Sequence, residues 1–343
     1  MIYNLFTDPH LGVSRKAHTT AESSERLNQA LFEAALRAKA TTQPNICLGD
    51  LFDKTFNPER VVIQGIRVAS GPTITLAGNH DETNRVGTKC SLEVVEAAGC
   101  EVLRLPDISK HGFSSTKCGQ VYLVPHHASQ ELFLKGLADA QEHANQVEGH
   151  KYLMVHCNRG DAIGEHADST LYISRELEDK LLTTFSRVFY GHEHGSHSNK
   201  TEGDEVVSKA VVLGNTHPTS FSDISDKYKY SLNTETNTVF RHKIWSKNDH
   251  YLEVKLGDVL EPNTDIQFVS VKGNGSRSET VEFIEKCWEA FPNAYAIRPE
   301  VVFDEEVVRK AEAAEPVNLL SAIEKDLEGT SMLQLFKRIK EEI

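Results

Sequence analysis

The chain has 343 residues, and 37 Lys+Arg against 50 Asp+Glu leave a net charge of −13. That length has room for roughly two domains with ample core, and the mix of 39% hydrophobic and 25% charged residues excludes a disordered or collagen-like chain. No window approaches about 18 consecutive apolar residues, which excludes a membrane span, and the acidic balance speaks on its face against nucleic-acid binding. The six scattered cysteines form no C-x-x-C pair, and MIYNLFTDPH is no secretory signal, so a reduced, cytoplasmic protein is expected.

Strand-like and helix-like stretches alternate from the start. Ile2–Thr7 is a short apolar run that ends at Asp8. Ser24–Ala40 reads as a helix, with Leu27, Ala30, Leu31, Ala34 and Ala35 at helical spacing. Asn45–Leu48 is the next strand and stops at Gly49-Asp50; Pro58–Ser70 is helical, with the proline in its first turn. Thr73–Ala77 is a β-branched run before Gly78-Asn79. Further strands are expected at Gln120–Val124, Tyr152–His156, Arg187–Tyr190, Val206–Leu213, Lys227–Leu232 and Thr238–Lys243. The pattern predicts an α/β fold with a partly parallel sheet covered by helices on both faces. Its polar motifs fall at the C-terminal ends of strands, the edge where sites form in such sheets.

A second unit is expected after Trp245. Ser246–His250 suits a linker. Ile266–Lys272 (strand), Gly273–Gly275 (turn), Thr280–Phe291 (helix) and Ala294–Val302 (strand) then make a small βαβ-like module. In the tail, Leu319, Leu320, Ile323 and Leu327 form one helical stripe, and Met332, Phe336, Ile339 and Ile343 a second. Those two stripes must bury somewhere, on each other, on the body or in a partner's groove. Lys272–Arg277 reads as a turn or as a cradle for a backbone phosphate.

Five short patterns carry the chemistry: Asp8-Pro9-His10, Gly49-Asp50, Gly78-Asn79-His80-Asp81, His156 at a strand end, and Gly191-His192-Glu193-His194. Singly each is weak, since a Gly-Asp pair is usually a turn and a lone His usually a structural one. Together they supply only carboxylate, amide and imidazole ligands, a set that suits Mn²⁺, Fe²⁺ or Zn²⁺ in a two-metal site. In extended backbone, residues i and i+2 project to one side, so Asp8 with His10, and His192 with His194, could reach one cluster. The glycines before Asp50, Asn79 and His192 permit tight turns into a cleft.

The ordered set resembles the calcineurin-like metallophosphoesterase superfamily, from Met1 to about Trp245. Asp8-Pro9-His10-Leu11-Gly12, Gly49-Asp50-Leu51-Phe52-Asp53 and Gly78-Asn79-His80-Asp81 resemble more narrowly the nuclease subunit of SbcCD-type repair complexes, the meiotic-recombination-eleven family with its short phage-encoded members. Leu213–Phe221 also resembles that family's Gly-Ser-Pro…Ser-Phe segment, but has Asn215-Thr216-His217 where Ser-Pro is usual. The resemblance implies a metallophosphoesterase β-sandwich over residues 1–245, a small α/β capping domain over 246–303 and a helical segment over 304–343 that docks on a coiled-coil ATPase. It assigns one metal ion to Asp8, His10, Asp50 and His194, and the other to Asp50, Asn79, His156 and His192, with Asp50 bridging. It makes His80 the group that protonates the leaving alkoxide or stabilises the transition state; on the residues alone, His80 could merely pack beside the site. Asp53 could hydrogen-bond a ligand His or cap a helix, Asp81 is a further candidate beside the ligands, and His217 reads as a solvated loop residue or a phosphate contact.

The implied activity is a Mn²⁺-dependent DNA nuclease, 3′→5′ exonucleolytic on duplexes and endonucleolytic on single strands, which forms a homodimer and works with an SbcC-type ATPase. The alternative is a stand-alone small-molecule or cyclic-nucleotide phosphodiesterase. Lys54-Thr55 stands where protein phosphatases of the superfamily have Arg-Gly, and Asp81 where they have Glu. The charge of −13 loses force as an objection, because two divalent ions add about +4 at the cleft itself.

Overall fold

The structure is a computed structural model, and it describes residues 1–14, 17–82, 90–104, 114–115, 120–160, 171–196 and 198–303. The two apolar stripes of the tail lie outside these residues, and so does His197, which like His217 reads from the sequence as a solvated loop residue or a phosphate contact.

The chain begins β1 (Ile2–Phe6), α1 (Ala21–Ala38), β2 (Asn45–Cys47), α2 (Glu59–Ala69), β3 (Thr73–Leu76), α3 (Ser91–Ala97) and β4 (Glu101–Leu103). Next come β5 (Ser114–Ser115), β6 (Val121–Val124), α4 (Gln130–Asn145), β7 (Tyr152–His156), β8 (Asn158–Arg159), β9 (Tyr172–Ile173), α5 (Arg175–Leu181) and β10 (Arg187–Gly191). Strands dominate the remainder: β11 (Thr201–Glu202), β12 (Glu205–Val206), β13 (Ala210–Val212), β14 (Lys227–Asn233), β15 (Thr238–Trp245), a short α6 (Lys247–His250), β16 (Tyr251–Lys255), β17 (Phe268–Gly275), α7 (Arg277–Ala290) and β18 (Ala296–Phe303).

An eight-stranded sheet runs in the order β11–β12–β15–β14–β1–β2–β3–β4, and a five-stranded sheet in the order β13–β10–β7–β6–β5. β1 to β4 are parallel to one another, and so are β6, β7, β10 and β13. Side-chain alternation sorts the residues into layers. Tyr3 and Leu5 of β1 and Ile46 of β2 meet Tyr152 and Met154 of β7 and Phe189 of β10 in one core between the sheets. Phe6 and Cys47 point the other way and pack with Leu27 and Leu31 of α1. Leu153 and Val155 likewise pack with Phe133 and Leu137 of α4. The result is a helix–sheet–sheet–helix sandwich, the α/β fold expected from the sequence. Burying one such side chain stabilises it by about 1.5–3 kcal/mol.

The layering matters because it brings strand ends together. β1, β2 and β3 all end at the same rim of one sheet, and β7 and β10 end level in the other, Gly191 opposite His156. No described helix is long and apolar enough to cross a membrane.

The chain divides into two compact units, and β16, β17 and β18 form a three-stranded sheet. Of the described residues, the second unit comprises Glu253–Pro262, Ser270–Ala290 and Arg298–Phe303. Its helix α7 buries Thr280, Phe283, Cys287 and Ala290, a helical spacing. Several boundaries differ from expectation for local reasons. α1 starts at Ala21 because Thr20 caps it, accepting from Ser23 N at 3.0 Å. Gly273–Gly275 is strand, not turn. Ser276 then caps α7, its Oγ accepting from Glu279 N at 3.2 Å while Glu279 accepts from Ser276 N at 2.8 Å. The stretch expected to be a linker holds α6 and leads straight into β16.

Candidate metal centre

The loops after the strands are tightly turned. Asp8, His10, Asp50 and His192 have φ of 52°, 46°, 48° and 81°, the left-handed region that costs a non-glycine residue about 1–3 kcal/mol. Asp8 and His10 therefore converge through left-handed turns and not through the extended pleat expected. Backbone bonds impose the shape: Asp8 N donates to Gly49 O, His10 N to Asp50 O and Leu11 N to Leu51 O, each at 3.0 Å. The first loop is thus zipped onto the second. Glycine is required where the loops touch: a Cβ on Gly78 would lie 2.1 Å from Asp50 Oδ1, and one on Gly49 2.3 Å from His156 Nδ1.

All seven residues expected as ligands gather here. His10 Nε2 lies 2.9 Å from His194 Nε2 and 3.7 Å from Asp8 Oδ1. His156 Nε2 lies 3.1 Å from Asn79 Oδ1, which is 2.9 Å from His192 Nδ1. Asp50 stands between the two groups, with Oδ2 3.8 Å from His10 Nε2 and Oδ1 3.4 Å from His156 Nε2. The donor atoms of Asp8, His10 and His194 lie within 4.8 Å of one another, as do those of Asp50, His156 and His192.

The donor set fits divalent cations. Asp8 Oδ1 is buried with no hydrogen-bond partner, and two imidazole nitrogens point at the same place. Burial pushes His10 down to about 3, and burial with the charge of His156 pushes His192 down to about 4, so both present neutral lone pairs. Burial opposes the charge of His156 too, but Asp50 and Asp8 push it up to about 9. Burial also opposes the charge of Asp50, yet His156 and His10 hold it far below the usual carboxylate range. The centre sets buried carboxylates beside the neutral rings of His10 and His192, and oxygen and nitrogen donors of this kind suit Mn²⁺, Fe²⁺ or Zn²⁺. His156 Nδ1 donates to Leu48 O at 2.7 Å, which leaves Nε2 for a metal.

His80 sits beside the ligands. Its N–H donates to Asp50 Oδ1 at 3.0 Å and its Nδ1 to Asp53 O at 2.8 Å, bonds that do not use Nε2. The Asp53 carboxylate is 3.6 Å from His10 Nδ1, and Pro58, not Asp53, precedes α2. Asp81 is fully buried, and its carboxylate accepts from Leu51, Phe52 and Gly78 N–H at 3.2, 3.0 and 3.0 Å. It thereby ties the Asp50 loop to the Asn79 loop. Burial and the charge of Asp50 push it up to about 7.

His217 is neither solvated nor at the ligands. It is 1% exposed, its ring lies among Trp245, Phe268 and Tyr295, and its Nδ1 donates to Pro218 O at 2.8 Å. Two residues were not foreseen. Asp223 Oδ2 is 3.3 Å from His194 Nδ1. His126 follows β6, which lies beside β7 in register Val124↔Val155, so it reaches the same rim; burial, then the charge of His156, pushes it down to about 3. That strand-end position was visible in the sequence, whereas Asp223 left no local signal.

Residues 4–196 match the model of the calcineurin-like phosphoesterase family. The match spans more than half of the chain, and the chain belongs to that family. It is a metal-dependent phosphoester hydrolase with a dinuclear centre. Among solved structures it is similar to a metallophosphoesterase from Sphaerobacter thermophilus, at 15% identity over 72% of this chain and 89% of that one, with a TM-score of 0.36. No curated protein matches the chain.

Proposed function

We propose that this phosphoesterase is a Mn²⁺-dependent DNA nuclease, exonucleolytic (3′→5′) on duplex ends and endonucleolytic on single strands, that serves repair or recombination in an SbcCD-type complex. The observation that carries the reading is the identity of the three loops Asp8–Gly12, Gly49–Asp53 and Gly78–Asp81, on a chain that runs far beyond the phosphoesterase match. Added to the catalytic fold are α7 and the sheet of β16–β18, proposed as the cap that shapes the DNA site. Residues 304–343 are proposed to dock on the ATPase, and two copies of the chain to pair.

In this reading Asp8, His10, Asp50 and His194 hold one ion, and Asp50, Asn79, His156 and His192 the other. When bound, the ions lower the pKa of a water and clamp the attacking and leaving oxygens of an in-line displacement. His80, fixed through its Nδ1 on Asp53 O, presents Nε2 to the leaving 3′ oxygen and gives it a proton. Leu48 O, Asp81 and the glycines hold the ligands so that little rearrangement is needed on binding.

The test is hydrolysis of linear duplex DNA with Mn²⁺, with and without chelator. Chelator-sensitive release of nucleotides is expected. Cleavage of bis-p-nitrophenyl phosphate or cyclic nucleotides without cleavage of DNA would leave a small-molecule phosphodiesterase instead.

A further inference from the structure

His194 is held from behind by a carboxylate. Its Nε2 faces His10 Nε2 at 2.9 Å, and its Nδ1 faces Asp223 Oδ2 at 3.3 Å. Asp223 is itself fixed from several sides. Asn215 Nδ2 donates to Oδ2 at 2.7 Å, Ser220 N to Oδ1 at 2.9 Å, and Thr219 N to both oxygens at 3.0 and 3.1 Å. The buried Lys227 secures the backbone of the same histidine, its Nζ donating to His194 O at 3.1 Å. The segment between the two residues runs through His217, whose ring is packed among Trp245, Phe268 and Tyr295. Asp223 therefore stands on a rigid turn, not on a mobile loop.

We propose that Asp223 is the positioning residue for His194: it accepts the Nδ1 proton, fixes that tautomer and turns Nε2 toward the ion shared with Asp8, His10 and Asp50. Carboxylates that hold a ligand histidine in this way raise the basicity of the ring and restrict its rotation. The inference rests on the reading of His194 as a metal ligand. The competing account is that Asp223 only caps the turn begun by Ser220, which would leave the metal indifferent to it.

The test is calorimetric titration of the full chain with Mn²⁺ alone, for wild type and Asp223→Asn. Wild type is expected to bind two ions. The variant is expected to lose affinity about 10- to 100-fold at one site and keep the other, because Asn79, His156 and His192 are held through bonds to one another and to Leu48 O. Unchanged affinity at both sites, or equal weakening of both, overturns the proposal. A wild type that binds no ion refutes the metal-ligand reading itself and the inference with it. Should Asp223→Asn fail to fold, nitrogen-15 histidine spectra of Zn²⁺-loaded wild type decide, with the His194 signal assigned by its loss in His194→Gln. A proton on Nδ1 is expected; a proton on Nε2 overturns the proposal.

Discussion

Gly78→Ala tests how tightly the two metal loops are built. Gly78 is not in the left-handed region, so alanine meets no backbone strain there. Its Cβ would lie 2.1 Å from Asp50 Oδ1 and 2.4 Å from Asp50 N. Ordinary contact begins near 3.4 Å, so the carboxylate that faces both ligand groups has to retreat by about 1.3 Å. One of the obstructing atoms is backbone, which a rotamer change cannot clear. Overpacking of this kind costs about 1–3 kcal/mol of stability. Misplacement by about 1 Å costs about 10²-fold in rate. We therefore expect a folded protein with a slightly lower melting temperature, disturbed occupancy of both metal sites and roughly 100-fold slower hydrolysis of bis-p-nitrophenyl phosphate. Elemental analysis and steady-state kinetics read the result. Full occupancy with wild-type turnover would show that Asp50 does not need the space Gly78 leaves.

His80→Ala should retain both ions and lose about 10²–10⁴ in DNA cleavage, yet lose far less on bis-p-nitrophenyl phosphate, whose leaving group needs no proton. Loss of metal in that variant would make His80 a ligand or a structural residue. Burial holds His217 down near 4, below the ordinary 6.5, so the unfolded chain takes up a proton that the folded one refuses. Stability on this account falls as pH drops from about 6.5 to 4, by about 3 kcal/mol in total. In urea unfolding of chelated protein, His217→Phe should flatten the pH dependence in that window; parallel wild-type and variant curves contradict it. Deletion after Pro316 should leave an active phosphoesterase that no longer co-purifies with the proposed SbcC-type ATPase, and unchanged co-purification would remove the tail from the proposed interface.

Much of the site was legible because its residues are tied to strand ends. Short apolar and β-branched runs placed β1, β2, β3, β7 and β10, and each motif follows the run that precedes it. What escaped was set by distant chain. His217 sits in a polar loop and gave no sign that Trp245, Phe268 and Tyr295 would enclose it. Asp223 lies far along the sequence from His194, and only the fold of the turn at Ser220 brings them together. The start of α7 was a different kind of miss. Ser276-Arg277-Ser278-Glu279 carries its capping box in plain sequence, but the preceding glycines suggested a turn. The left-handed φ of Asp8 and His10 comes from backbone bonds to the Gly49–Leu51 loop, which no local pattern encodes.

In the proposed site, Asp50 bridges two ions. Anomalous diffraction from crystals grown with Mn²⁺, recorded at the manganese edge, tests it most directly. Two peaks about 3.5–4 Å apart, one on each side of the Asp50 carboxylate, are predicted, the first against Asp8, His10 and His194 and the second against Asn79, His156 and His192. A single peak, or peaks that leave Asp50 uncoordinated, would rule out a bridging Asp50.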